Sequence, residues 1–94
     1  MHRAKAKPTI ANVSMASANT EYEYTLPAGT REFWLKLRTV GYPMQVAMVS
    51  GDSNTTYLTV TSGKIHKETD IKPSTTLYFR STQASMIAEI ISFA

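Results

Sequence analysis

Apolar and polar residues alternate along much of this chain with a period of two. Between Glu21 and Leu26, Tyr22, Tyr24 and Leu26 share one side, and Glu21, Glu23 and Thr25 share the other. Between Thr30 and Arg38, Phe33, Leu35 and Leu37 oppose Trp34, Lys36 and Arg38. Between Thr75 and Ser81, Leu77 and Phe79 oppose Thr76, Tyr78 and Arg80. Side chains of an extended backbone point alternately to opposite faces, so each segment predicts a half-buried strand. Thr9 to Ser17 predicts a short edge strand, with Ile10 standing apart from Ala11, Val13, Met15 and Ser17. Met44 to Val49 is almost all apolar, which predicts a strand covered on both faces. Thr55 to Thr61 predicts another strand, and Ile65 to Ile71 fits a short strand or an extended loop. Met86 to Phe93 carries Ile87, Ile90 and Ile91 at a spacing that also fits a helix face. Its β-branched content and short length favour a strand.

Turn signals separate these segments. They include Ala18-Asn19-Thr20, Pro27-Ala28-Gly29, Ser50 to Asn54, Ser62-Gly63-Lys64, Lys72-Pro73-Ser74 and Thr82 to Ser85. Pro27 suits the second position of a turn and Gly29 the fourth, so Glu21 to Arg38 reads as a β-hairpin. Its inner face would feed the core, and its outer face would carry Trp34, the only tryptophan, between Glu32 and Lys36. That position predicts that Trp34 is buried by something other than its own sheet's core, either a loop or another subunit. The regular spacing of short strands predicts an all-β fold: an antiparallel β-sandwich, jelly-roll or immunoglobulin-like, of about 7–8 strands. Residues 1–8 read as a flexible basic arm, and residues 9–94 as a single domain.

Composition sharpens this picture. Thr and Ser supply 22 of the 94 residues, 13 of them Thr, whose branched β-carbon suits a pleated surface better than a helix. The net charge of +3 belongs to the arm, because Arg3, Lys5 and Lys7 precede a remainder with seven basic and seven acidic residues. There is no cysteine, so neither a disulfide nor a thiolate metal site stabilises so short a chain, and association is one remedy. No secretory signal and no membrane-spanning apolar run is evident, so a soluble protein made without export is expected.

Candidate chemistry is sparse. His2 and His66 lack neighbours at zinc-ligand spacing, and His66 reads as a solvated residue in a polar stretch. No phosphate-binding glycine loop or nucleophile motif is present. Glu21 and Glu23 have the form of a glycosidase carboxylate pair, but a solvated strand face explains them as well. Asp52-Ser53-Asn54 offers one carboxylate, too few for calcium, and turn chemistry accounts for it. The three charges of the arm have no interleaved aromatic residue, so specific nucleic-acid binding is not expected. No cofactor and no catalytic activity are expected. The candidate interface comprises Arg3, Lys5, Lys7, Trp34, Lys36 and Arg38, since tryptophan and arginine are enriched where protein contacts are energetically decisive.

The segments ANTEYEYTLPAGTREFWLKLR, TTYLTVTSGKIHKE and STTLYFRSTQASMIAEI, spanning roughly Asn19 to Phe93, resemble small all-β virion proteins of tailed bacteriophages. The shared pattern is a strand, a Leu-Pro-x-Gly-Thr turn, a strand, a Gly/Ser/Asn turn, a Tyr-x-Thr-Val strand, then Thr-Leu-Tyr-Phe before a last aliphatic strand. Residues Ile65 to Asp70 depart from the smoother Gly/Ser-rich stretch expected there. The resemblance implies a structural, non-enzymatic protein that decorates or cements a bacteriophage capsid. It implies assembly in the host cytoplasm, a virion location, and partners among the major capsid protein or other virion proteins. It also implies a homo-oligomer, with a trimer favoured. A head-tail or tail accessory protein is the alternative within that class. A carbohydrate-binding β-sandwich module, stacking sugars on Trp34, Tyr42, Tyr57 and Tyr78, is the alternative outside it.

Overall fold

The computed structural model describes residues 7–72 and 75–94. They form eight strands: β1 (Thr9–Met15), β2 (Tyr22–Thr25), β3 (Glu32–Leu37), β4 (Met44–Ala47), β5 (Leu58–Val60), β6 (His66–Thr69), β7 (Thr76–Ser81) and β8 (Met86–Phe93). A single 3-10 turn, Asp52–Asn54, is the helical element among the described residues, and no helix there is long and apolar enough to cross a membrane. The strands make two four-stranded sheets. The first has the order β1-β8-β3-β6 and the second β2-β7-β4-β5, with every paired neighbour antiparallel.

The alternating segments behave as their periodicity requires. Phe33, Leu35 and Leu37 of β3 are buried, as are Leu77 and Phe79 of β7, while the residues between them are half-buried. With Met15, Ala88 and Ile90 from the first sheet, Met44, Val46 and Val60 from the second, and Leu26 just after β2, they make one apolar cluster. That shared core makes the architecture sandwich-like. Each fully buried Leu, Phe or Met side chain contributes about 1.5–3 kcal/mol relative to exposure.

The expected hairpin does not form. β2 pairs with β7 in the second sheet, whereas β3 pairs with β8 and β6 in the first. The segment between them crosses from one sheet to the other. Leu26 and Thr30 are buried in it, and its ends are tied by Leu26 N–H to Thr75 C=O (2.9 Å) and Arg31 N–H to Phe93 C=O (2.8 Å). The turn also starts one residue later than expected. Thr30 donates both its amide (3.2 Å) and its hydroxyl (2.7 Å) to Pro27 C=O, which places Gly29 third, at φ +83°. A third-position residue with positive φ is where glycine is free of steric cost.

Other boundaries tighten. The β4 strand ends at Ala47, leaving Met48 and Val49 exposed, and only Leu58–Val60 of Thr55 to Thr61 is a strand. The polar stretch after Ile65 does form a strand. Inside it, His66 is not solvated: it is half-buried, 6.1 Å from the Phe33 ring centroid, with Nε2 at 3.2 Å from Glu68 Oε1 but out of line for a hydrogen bond. The arm expectation is described only at Lys7 and Pro8, both exposed.

Candidate functional site

The outward face of the first sheet gathers the strand residues that the alternation left outside. Antiparallel register places Ile10 of β1, Ile91 of β8, Trp34 of β3 and Lys67 of β6 in one row. The adjacent row holds Asn12, Glu89 and Lys36. Phe93 lies beside Glu32 one pair along. A shallow depression of about 240 Å³ runs between the rows, bordered by Ile10, Trp34, Ile65 and Ile91 and by the charged pair Lys36 and Glu89.

Trp34 is held from several directions. Its indole N–H donates to Glu32 Oε2 at 2.7 Å. The Lys67 ammonium sits 4.4 Å from the ring centroid, a cation–π contact. The Phe93 ring packs against it with centroids 5.4 Å apart and planes at 56°. These partners belong to β3, β6 and β8 of the same sheet. Trp34 therefore lies outside its own sheet's core, as expected, and within the chain the contacts that half-bury it come from strand neighbours on the sheet's outer face rather than from a loop.

Lys36 and Arg38 are engaged as well. Both converge on Glu89, Arg38 Nε at 2.7 Å from Oε2 and Lys36 Nζ at 3.2 Å from Oε1. The Arg38 hydrogen bond, reinforced by Lys36, holds the Glu89 carboxyl below its ordinary value and outweighs the opposing effect of partial burial. The Arg38 side chain is 46% exposed, so the pair is largely solvent-screened. Double-mutant cycling of Arg38→Ala and Glu89→Ala is expected to return a coupling of about 0.2–1 kcal/mol, shrinking as salt is added. A coupling several-fold larger would mean that the pair is desolvated by something bound over it.

The sequence-predicted interface residues are thus partly brought together. Trp34, Lys36 and Arg38 share one face. Lys7 is exposed two residues before β1, while Arg3 and Lys5 lie outside the described residues. The alternation did not reveal Glu89 as the anion that organises Lys36 and Arg38. Its outward parity in β8 was readable, but its partner strand was not.

Glu21 is the second residue whose role escaped the pattern. Its carboxylate accepts the N–H groups of Gly51 (2.9 Å) and Ser53 (3.2 Å), closing the start of the 3-10 turn where Gly51 takes φ +89°. Hydrogen bonding at Ser53 leads the causes that lower the Glu21 carboxyl below its ordinary value. Glu23 is exposed and takes no part, so no carboxylate pair is assembled. Among the described residues, no three His, Asp or Glu side chains cluster to hold a metal ion. Compared with known proteins, the chain matches no family model, and no curated protein or solved structure is significantly similar to it.

Proposed function

We propose that this chain is a non-enzymatic structural protein of a tailed-bacteriophage virion, decorating or cementing the capsid through surface contacts with the major capsid protein or another virion protein. The observation that carries the reading is the outer face of the first sheet. Its apolar row Ile10–Ile91–Trp34 is pinned in place by Glu32, Lys67 and Phe93, beside a fixed Lys36–Glu89–Arg38 cluster. That is a pre-organised contact surface, and pre-organisation is what makes a modest interface bind. Glu21 and Glu89, the two carboxyls whose acidity is shifted, each serve the fold: one closes a turn and the other crosslinks two strands. Glu89 borders the shallow depression, but Arg38 and Lys36 engage its two carboxylate oxygens.

We further infer a jelly-roll sandwich. Here β1 lies beside β8 and β2 beside β7, with a crossing between sheets at most connections. An immunoglobulin-like sandwich would instead put its first two strands side by side in one sheet. Jelly rolls serve capsid proteins and lectins alike, so the fold supports the virion reading only as an analogy. For the sugar-binding alternative, Tyr42 and Tyr57 are the exposed rings. The Trp34 ring is occupied by Lys67 and Phe93, and Tyr78 projects from the second sheet rather than the first.

Purified protein added to shells of the parent phage is expected to co-sediment and to saturate at tens to hundreds of copies per particle. Saturation at a dozen or fewer would move the assignment to the head-tail or tail axis. Absence of binding, together with absence from the virion's protein inventory, would sink the virion reading.

A further inference from the structure

We infer that the free edge of β1 is a self-pairing site, through which two copies of this chain join their first sheets into one continuous antiparallel sheet. The inference does not depend on the virion reading.

The two sheets have four edge strands, and three of them are blunted in familiar ways. β5 has three residues. β2 has four and carries Glu23. β6 has four and carries Lys67 and Glu68. β1 has seven residues, Thr-Ile-Ala-Asn-Val-Ser-Met, with no charge, glycine or proline. Its register with β8 is continuous from Thr9↔Ser92 to Met15↔Met86. Among the described residues nothing pairs with its other side. A long, uncharged, uninterrupted edge is an open row of donors and acceptors.

Backbone parity says which groups are open. Arg38 N–H donates to Ile87 C=O at 2.9 Å, so odd-numbered residues of β8 bond towards β3 and even-numbered ones towards β1. In β1, Thr9, Ala11, Val13 and Met15 face those even-numbered partners. Ile10, Asn12 and Ser14 therefore direct their N–H and C=O groups to the open edge. These three positions are symmetric about Asn12. Antiparallel pairing of Asn12 with Asn12 of a second copy sets Ile10 opposite Ser14 in both directions, and all three open residues of each strand bond at once. Pro8, without an N–H, ends the ladder on one side.

Charge favours the same arrangement. In this register Lys7 falls opposite position 17 of the second copy, so the two Lys7 side chains are ten residues apart along the ladder, roughly 33 Å at strand rise. That separation is several times the Debye length of about 8 Å. Ile10, 70% exposed, ends the apolar row of one copy at the seam, and pairing carries the outer face on into the next copy. The result is a two-fold, isologous contact.

Sedimentation velocity over a concentration series tests this. The wild-type chain is expected to move from a 10.4 kDa monomer to a species of twice that mass. In the associated state the amides of Ile10, Asn12 and Ser14 should gain protection from hydrogen exchange. Asn12→Pro removes an edge donor without breaking a bond to β8. Asn12→Lys places two like charges opposite each other in the dimer, while in the monomer it faces Glu89 across β8. Both variants should stay monomeric while keeping their thermal transition within a few degrees. A wild-type chain that is monomeric into the millimolar range, a trimer, a dimer that tolerates both substitutions, or edge protection that arises only on added shells would each overturn the proposal.

Discussion

Phe33→Ala is expected to destabilise the chain by about 3–5 kcal/mol, the cost of removing a buried aromatic side chain and leaving a cavity. Phe33 is fully buried in β3, which lies between β8 and β6 in the first sheet. A chain of 94 residues has a total stability of about 5–14 kcal/mol, so the variant gives up a large share of it. In thermal unfolding that is a fall of about 12–40 °C in Tm. The comparison with its neighbour makes the test discriminating. Trp34 is larger, but it stands on the outer face, and its ring contacts with Lys67 and Phe93 are worth about 1–2.5 kcal/mol together. Trp34→Ala should therefore cost clearly less than Phe33→Ala. If the order were reversed, the register of β3 would have to slip by one residue, which would exchange its faces.

Glu21→Ala should cost about 1–2 kcal/mol, the lower part of the range for hydrogen bonds to a charged acceptor, because the carboxylate is only partly shielded from solvent. The substitution leaves the Ser53 amide, in a residue 1% exposed, without its acceptor. The loss should be local as well as global, with the amides of Gly51 and Ser53 exchanging far faster. The contribution depends on pH, with a definite sign. The folded-state pKa of Glu21 lies below its ordinary value of 4.5, and that of Glu89 is lowered in the same way. A depressed carboxyl stabilises the fold fully above its unfolded pKa and loses that contribution as pH falls through the folded value. Wild-type stability should therefore decline as pH drops below about 4.5, and Glu21→Gln combined with Glu89→Gln should flatten the decline. A double variant that loses stability in acid as steeply as wild type would show that other groups control the acid limb.

Much of the architecture was legible from side-chain alternation. The strand from Met86 to Phe93 coincides with β8, and the inward sets Phe33-Leu35-Leu37 and Leu77-Phe79 are the buried ones. Ile10, read as standing apart from its strand's pattern, is indeed exposed. What failed was pairing. Period two tells which side of a strand is apolar, but it does not say which strand lies alongside. Tyr22-Tyr24-Leu26 and Phe33-Leu35-Leu37 have compatible faces and a turn between them, so a hairpin satisfied every local signal. The same faces are satisfied equally well by opposite walls of one core, and the buried Leu26 and Thr30 in the crossing segment select that solution. The candidate surface was half legible for the same reason. Trp34, Lys36 and Arg38 share a face by parity alone, whereas Glu89, Lys67 and Phe93 reach them across strands distant in sequence.

The sequence by itself determined an all-β chain, the approximate positions of its strands, the side of each that turns inward, and the placement of its excess charge before the first strand. These follow from backbone geometry and hydrophobic burial within a few residues. Only the tertiary structure decided that β2 and β3 lie in different sheets, that Glu21 closes a turn thirty residues away, and that Glu89 binds Lys36 and Arg38. Those outcomes depend on register between segments far apart in the chain. Register is set by packing the two inner faces into one core, a property of all eight strands together.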